Sequence, residues 1–586
     1  MKRKIRMLLA LLLCALLLSG CGVMPLSGVT NSSVFTGELP DEDEMPHFGD
    51  MVYERPQDAL DDFSLCLELL ERELNGGSFR TVKRLLERCY TDYYHFDTMY
   101  CLAEIRSCLD MTDAYYAGEL SWCLDGYYEL QEMIEDMLYL CGGSPMADRL
   151  EREYFWEGFA GEYADASLST YTEEVLALLH RENSLLTEYR ELTASPTIVL
   201  NGREEDLYSY LERAGENDYY NAWMAYYEQY NEKLGRLYID LVKTRRELAA
   251  AQGFDSYEQM AYSYNFDRDY TPDEAARYVA DIRKYIVPIY EELENYYVDY
   301  PYLEEDELCR ILELGTDAMG GDVREAFRFM RRYELYDVSL SVNKQDKSFQ
   351  TYLEDYDAPF LLINPMGDDS DILTFAHEFG HFVDAYVNYN ADESVDVAEV
   401  FSQAMEYLML SYAEGALPEK RLENLRRFKW LDTLDLYVQQ ASFAAFEEAV
   451  YAADPEELSA EFLNELSLQT AIDFGYYDGY SDAFYAMSWI DIVHFFEQPF
   501  YVISYPVSND LALQIWELEQ QEPGRGLAKY LEMLPREYDG MIATAEAAGL
   551  QSPFSPGRIE KVAGELRRNL GLDERGNGVN NYSIAG

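Results

Sequence analysis

The five residues His377-Glu378-Phe379-Gly380-His381 constrain the fold of this chain more than any other segment. The chain has 586 residues but only six histidines, and two of them fall here, four positions apart. On an α-helix such residues share a face, so both imidazoles can reach one metal ion, while Glu378 can face a water beside it. Gly380 is a poor helix former and predicts close packing against a neighbouring element. A helix with two hydrogen-bonded core histidines is the alternative that this motif alone leaves open.

A catalytic zinc site needs a third protein ligand and an open position. Downstream, residues 397–406 have the pattern of an amphipathic helix on which Glu399, Ser402 and Glu406 share one face. Polar groups are costly to bury without partners, so this face favours Glu399 as the third ligand and Glu406 as support for a ligand histidine. The spacing leaves open that all three side chains simply face solvent.

The rest of the sequence predicts a mainly α-helical protein. Apolar residues recur at intervals of three and four from Pro56 onward, and Thr271-Pro272-Asp273-Glu274 is a capping box with proline at the first helical position. Long helical runs are expected at 171–193, 217–252 and 272–299. Only 336–364 changes period, and it predicts three short strands at 336–341, 348–352 and 359–363.

The N-terminus has the features of a bacterial lipoprotein signal. Basic residues precede the twelve apolar residues 7–18, a run too short to span a bilayer as a helix. Leu18-Ser19-Gly20-Cys21 resembles a lipobox, in which Cys21 becomes lipidated. We therefore expect an extracytoplasmic protein held at the cell membrane by a lipid anchor. An ordinary signal peptide followed by an unrelated cysteine is the alternative.

We expect five segments along the chain. They are a lipoprotein signal peptide (1–20), a disordered tether (21–50), an N-terminal helical domain (51–200), a catalytic domain (201–570) and a C-terminal tail (571–586). The break near residue 200 rests on Ser195-Pro196 and Asn201-Gly202, which interrupt the helical pattern.

Six cysteines cluster in the N-terminal domain: Cys66, Cys89, Cys101, Cys108, Cys123 and Cys141. Outside the membrane they could pair as disulfides. They also lie in helical sequence, where a free cysteine is a small core residue. The sequence does not choose between these states.

The charge of the chain excludes one class of partner. Its 110 acidic residues against 46 lysines and arginines give a net charge of -64. Such a surface repels polyphosphate, so nucleic-acid binding is not expected.

Four separated segments, 246–257, 358–381, 397–406 and 489–505, together resemble the thimet oligopeptidase and oligopeptidase F family of zinc metallopeptidases. The resemblance is clear over about 230–560 and weaker over 51–230. It implies a prolate multi-helix fold with a small sheet beside the metal helix and a deep channel. This chain departs from the family pattern at Ile503, where a third tyrosine is usual, and at Pro506, near which the family has a glycine.

The resemblance also implies roles for individual residues. One Zn²⁺ per chain would be held by His377, His381 and Glu399. Glu378 would act as general base and then acid, and His494 with Tyr501 or Tyr505 would stabilise the oxyanion. We further expect an edge strand at 359–364 to pair with the substrate backbone. Its residues are Phe360, Leu361, Leu362, Ile363 and Asn364.

These observations lead us to expect a monomeric zinc oligoendopeptidase that cleaves internal bonds of short peptides. One alternative is a lipoprotein that binds peptides without cutting them, although such a protein has no need of Glu378. Another is a zinc dipeptidyl-carboxypeptidase of the same helical class, which would need a positive group to bind the substrate carboxylate.

Overall fold

The computed structural model describes residues 45–156, 158–164, 172–211, 214–293, 301–341, 343–345, 347–389, 394–477, 479, 481–535 and 540–572. Within this part the chain is mostly helical, as expected. The helices of its first half are α1 (Gln57–Leu74), α2 (Phe79–Leu109), α3 (Ala114–Gly142), α4 (Ala147–Glu153), α5 (Phe159–Glu162), α6 (Glu173–Ala194), α7 (Leu207–Leu211), α8 (Glu216–Ala251), α9 (Tyr257–Met260), α10 (Pro272–Tyr285) and α11 (Val287–Glu292). A π-helix, Ala261–Asn265, follows α9 directly.

The second half holds the elements around the metal-binding motif. Its helices are α12 (Glu305–Met319), α13 (Gly321–Arg332), α14 (Asp371–Asn388), α15 (Val395–Tyr412), α16 (Glu419–Ala452), α17 (Ala460–Asp473), α18 (Asp482–Met487), α19 (Val493–Glu497), α20 (Ser504–Gln521), α21 (Arg525–Met533), α22 (Met541–Ala547) and α23 (Arg558–Asn569). The strands among the described residues are β1 (Thr197–Leu200), β2 (Arg203–Asp206), β3 (Tyr336–Asp337), β4 (Phe349–Leu353) and β5 (Ala358–Leu362).

The predicted capping box is present at the start of α10. Thr271 Oγ1 accepts a hydrogen bond from the Glu274 backbone N–H at 3.3 Å, and Glu274 Oε2 accepts one from the Thr271 N–H at 2.9 Å. Neither N–H group has a carbonyl four residues before it within the helix, so the two contacts fix where the helix begins.

The expectation of a single sheet is wrong. Strands β1 and β2 form a second, antiparallel pair around residue 200. Its turn is Asn201-Gly202, with φ of 54° and 75°. An Asn-Gly pair at positive φ is the strongest short-range signal for a two-residue hairpin, so the segment that we expected only to interrupt helices builds a hairpin.

The order of the second sheet corrects another expectation. The strands lie in the order β3-β5-β4, so β5 is central: it pairs in parallel with β3 and antiparallel with β4. The backbone of Phe360, Leu361 and Leu362 is therefore engaged by neighbouring strands. Beyond the strand, the Ile363 N–H donates to the Asp337 carbonyl at 2.8 Å and the Asn364 N–H donates to Ser348 Oγ at 3.1 Å. Residues 360–364 do not form an edge, and β4 occupies that position instead.

The predicted first strand is shorter than expected, because Asp337 turns the chain. Its Oδ1 accepts hydrogen bonds from the Ser339 N–H at 3.1 Å and from Ser339 Oγ at 2.7 Å. Such a local turn competes with strand pairing, so β3 ends at Asp337.

The predicted tether is also too long at its C-terminal end. Met45 is buried, and the ring of Phe48 lies 4.1 Å from that of Phe360 on β5. The Phe48 N–H donates to the Tyr333 carbonyl at 2.9 Å. Met45 and Phe48 are thus packed into the fold and do not belong to a tether. The signal peptide, Cys21 and most of the tether lie outside the described residues, as does nearly all of the predicted tail.

All six clustered cysteines are buried free thiols, as is Cys309. All seven belong to one apolar core that extends from Met45 to Leu572, and a second core surrounds α8, α17 and α18. The cysteines are therefore small core residues in this structure. Among the described helices, none has the length and apolarity that a membrane span requires.

Candidate metal centre and active site

The centre is built where α14 and α15 touch at Gly380. A Cβ on Gly380 would lie 2.5 Å from Ser402 Cα and 2.6 Å from the Phe401 carbonyl oxygen. No side chain fits at that distance, so only glycine allows the two backbones to meet here. This explains the poor helix former in the motif and brings the two predicted ligand helices together.

The structure brings the three predicted metal ligands to one point. One donor atom from each of His377, His381 and Glu399 lies within 4.8 Å of the others. Glu399 Oε2 is 3.4 Å from His377 Nε2 and 3.8 Å from His381 Nε2. Two ligands of a tetrahedral zinc ion, bound at about 2.0–2.1 Å, stand about 3.3 Å apart. The donor set and its spacing therefore fit zinc.

The polar face of α15 is buried and used for support, not turned to solvent. Glu406 Oε1 lies 3.0 Å from His377 Nδ1 and fixes the orientation of that ring. Ser402 Oγ donates to Glu399 Oε2 at 2.9 Å. Behind Glu406, Lys429 Nζ on α16 donates to Glu406 Oε2 at 2.5 Å. The alternative of a solvent-facing row is therefore excluded.

Glu378 is the carboxylate without a partner at this centre. Its Oε2 atom is buried and has no hydrogen-bond partner in the described part of the chain. Burial raises the pKa of Glu378 to about 8, and nearby Glu399 and Glu406 act in the same direction. A bound dication would act in the opposite sense and favour the ionised form. The orphaned oxygen beside three metal-type donors is the arrangement expected for a proton acceptor.

The electrostatics of the imidazoles also fit a cation. Burial lowers the pKa of His377, but Glu406 and Glu399 outweigh burial and raise it to about 9. Three carboxylates face two imidazoles in this buried volume, and Lys429 offsets only one of them. With both imidazoles neutral and all three carboxylates ionised, as metal binding requires, two negative charges are left that a divalent cation would balance.

His494, Tyr501 and Tyr505 meet beside the metal ligands. Tyr505 Oη lies 3.2 Å from His494 Nε2, and Tyr501 Oη donates to Glu399 Oε1 at 2.9 Å. The rings of His494 and Tyr501 are 5.2 Å apart. The two tyrosines therefore have different contacts: Tyr501 contacts the metal ligand Glu399, and Tyr505 contacts His494.

The two departures from the family pattern are accommodated. Ile503 is buried in the apolar core just before α20. Pro506 is the third residue of α20, where its missing N–H would have no helical partner in any case. The segment after Tyr505 is therefore regular helix.

Sequence reasoning missed Lys429 and a second group of buried charges, Arg268 and Glu447. Arg268 Nη2 donates to the Phe500 carbonyl, one residue before Tyr501. Lys429 follows Glu406 by 23 residues, and no local pattern joins them. Lys429 stands among other charged residues, Arg426, Arg427 and Asp432, so its own helix carries no sequence signal that singles it out.

Comparisons with known proteins agree with this geometry. The model of the peptidase family M3 matches residues 322–536, and that of the peptidase M3 N-terminal domain matches residues 48–167. Together these ranges cover more than half of the chain. The chain belongs to peptidase family M3. The members of this family are metallopeptidases, and the matched catalytic range contains every residue of this centre.

This M3 chain is similar to oligoendopeptidase F, chromosomal, of Lactococcus lactis subsp. cremoris, with 26% identity over 341 residues. It is also similar to the group B oligopeptidase PepB of Streptococcus agalactiae serotype III (strain NEM316), with 24% identity over 326 residues. These alignments span 51% and 50% of the chain, and 53% of each relative.

A solved structure shows the same fold. The structure of PZ peptidase A with an inhibitor superimposes with a TM-score of 0.77 at 22% identity, and the match covers 90% of this chain and 99% of that one. This agreement supports the fold of the M3 chain over nearly all of its length.

Proposed function

We propose that this M3 chain is a zinc-dependent oligoendopeptidase that hydrolyses internal bonds of short peptides. The observation that carries the proposal is the convergence of His377, His381 and Glu399 beside the unpartnered carboxylate of Glu378. A protein that only binds peptides needs no such carboxylate. The names of the two curated relatives support the choice of oligopeptides as substrates.

One zinc ion per chain would polarise the scissile carbonyl and acidify a water when bound. Glu378 takes the proton from the attacking water and returns it to the leaving amine. His494 and Tyr505 donate hydrogen bonds to the oxygen that becomes negative in the transition state, where donors matter most. Tyr501 orients Glu399 through the contact at 2.9 Å.

The edge strand β4 offers a way to hold an extended peptide. It pairs with β5 on one side only, and the Thr351 carbonyl accepts a hydrogen bond from the Gln350 side-chain Nε2 at 2.6 Å. A peptide N–H can replace that side-chain donor, which would add the substrate as a strand. Backbone pairing ignores side chains and therefore predicts broad sequence tolerance. The metal ligands are at most 8% exposed, which favours slender substrates over folded proteins.

The protein is further proposed to be a monomer held outside the cytoplasmic membrane by a lipid on Cys21. The proposal of the anchor rests on the N-terminal sequence alone. Replacing Cys21 by Ser should release the protein from membranes and remove labelling by radioactive palmitate. Retention of both label and membrane association would refute the anchor.

The central test is Glu378→Gln. The variant should bind zinc like the wild type, as measured by competition with a chromogenic chelator, and should lose peptide hydrolysis. Hydrolysis by the variant would refute Glu378 as the base. Mass analysis of digested peptides of graded length, with and without chelator, then identifies the reaction. Internal cuts are expected, whereas terminal dipeptides would indicate a dipeptidyl-carboxypeptidase and the absence of cuts a peptide-binding protein.

A further inference from the structure

The segment that carries His494, Tyr501 and Tyr505 contains an unfavourable backbone conformation. Phe500, directly before Tyr501, has φ of +67°. A bulky L-residue rarely adopts this conformation, which persists only when the surroundings impose it. Phe500 is also buried, so its neighbours decide where the backbone of Tyr501 begins.

Two buried ionisable side chains, Glu447 and Arg268, hydrogen-bond to the backbone of Phe500 on either side of its Cα. The Phe500 N–H donates to Glu447 Oε1 on α16 at 3.0 Å. Its carbonyl accepts a hydrogen bond from Arg268 Nη2 at 3.0 Å, and the same nitrogen donates to Ser504 Oγ at 2.8 Å. The Arg268 side chain is fully buried and its guanidinium is charged, so its hydrogen bonds are stronger than neutral ones. Glu447 is also fully buried, and burial raises its pKa to about 8.

Arg268 also reaches the helix that carries the third metal ligand. Its Nε lies 3.5 Å from Asp396 Oδ2, and Asp396 precedes Glu399 by three residues on α15. The guanidinium is stacked 4.5 Å from the ring centres of Tyr262 and Phe266. One side chain therefore connects the start of α15 with the Phe500 carbonyl before Tyr501 and with the Ser504 hydroxyl after it.

A second arginine supports the other end of the segment. Arg245 on α8 donates from Nη1 to the Phe495 carbonyl at 3.3 Å and from Nη2 to the Phe496 carbonyl. These are the two residues after His494. Arg245 is itself held by Glu182 at 2.6 Å.

We propose that Arg268 and Glu447, together with Arg245, are positioning residues for the catalytic segment. They hold the backbone of 495–500 from its buried side, so that Tyr501 meets Glu399 and Tyr505 meets His494. None of the three touches the metal ligands or the reacting atoms. The inference deepens the proposed function and rests on it for the roles of His494 and Tyr505.

The first test compares Arg268→Lys with Arg246→Met. Arg246 is the adjacent control: it donates to the carbonyls of Val450, Tyr451 and Ala453 at the end of α16 and contacts nothing in 494–505. Arg268→Lys keeps the charge but cannot reach both oxygens, and a displacement of about 1 Å at a catalytic group costs about 100-fold in rate. We expect kcat on a fluorogenic peptide to fall about 10- to 100-fold with KM within twofold. Arg246→Met should lower the melting temperature and leave kcat within twofold.

The double variant Arg268→Met/Asp396→Asn provides a second test if Arg268→Lys does not fold. It removes both charges, and zinc affinity should fall about 10-fold because Tyr501 no longer orients Glu399. Normal kcat and zinc affinity in both Arg268 variants would overturn the proposal, as would an equal loss of kcat in Arg246→Met. If the wild type binds zinc but cuts no peptide, the proposed function fails, and chelator competition on the same variants still decides the positioning role.

Discussion

Lys429 offers the most direct test of how the metal centre is supported. Its ammonium group is 1% exposed and lies 2.5 Å from Glu406 Oε2 and 3.2 Å from Asp432 Oδ2. Burial raises the pKa of Glu406, but Lys429 and His377 outweigh burial and hold this pKa below its usual value. In Lys429→Met, Glu406 loses its lysine partner and takes up a proton, so it offers His377 only a weaker, neutral hydrogen bond.

The size of the effect follows from this chain of contacts. Loss of a partner that orients a ligand histidine typically weakens metal binding 10- to 100-fold, or about 1.4–2.8 kcal/mol. Removing one member of a buried ion pair also costs about 3–5 kcal/mol of folding stability. We expect both losses in Lys429→Met. In Glu406→Gln, the amide oxygen also accepts from His377 as a neutral group, so the loss of zinc affinity should be of similar size.

The assay is zinc competition against a chromogenic chelator, together with thermal unfolding of the metal-free protein. Lys344→Met is the matched control, because Lys344 is equally buried and pairs with Asp337 at 2.6 Å, away from the metal ligands. It should lose stability and keep zinc affinity. Unchanged zinc affinity in Lys429→Met, or an equal loss in the control, would refute the support role of Lys429.

Three further predictions concern single contacts. Gly380→Ala should push α14 away from α15 and lower both the zinc affinity and the melting temperature. The control is Gly564→Ala in the open interior of α23, which should stabilise the protein by about 0.5–1 kcal/mol. A Gly380→Ala variant with unchanged stability and zinc affinity would contradict this packing. Tyr505→Phe should lower kcat about 100-fold or more with KM nearly unchanged, because its hydroxyl acts only on developing charge; a change in KM alone would contradict that role. His95 lies 2.7 Å from Asp355, and this hydrogen bond raises the pKa of His95 above its usual value. A group whose pKa is raised in the folded state stabilises the fold fully below its unfolded pKa, which is about 6.5 for histidine. It loses that effect as the pH rises through the folded pKa. The wild type should therefore resist urea better than His95→Gln at pH 5.5 and not at pH 9.

The structure also shows why the strand next to the metal helix was misplaced. The sequence of β5 is an apolar run, which a central and an edge strand can share. Its position between β3 and β4 depends on Tyr336 and Phe349, which belong to segments 22 and 9 residues away from its start. The pattern of residues in 336–364 therefore predicts the strands but not their order.

Local spacing was enough to determine the metal helix, the polar face of the next helix and the capping box at Thr271. Each depends on residues three or four apart, whose relative places are set by helix geometry alone. The hairpin at Asn201-Gly202 carries an equally local signal. Tertiary structure alone decided two other contacts, the hydrogen bond from Lys429 to Glu406 and the one from Arg268 to the Phe500 carbonyl. Arg268 and Phe500 are 232 residues apart in the chain. Such pairs form because it is costly to bury a charged or polar group without a hydrogen-bond partner. The partner can come from any part of the chain, so the spacing of residues in the sequence does not predict it.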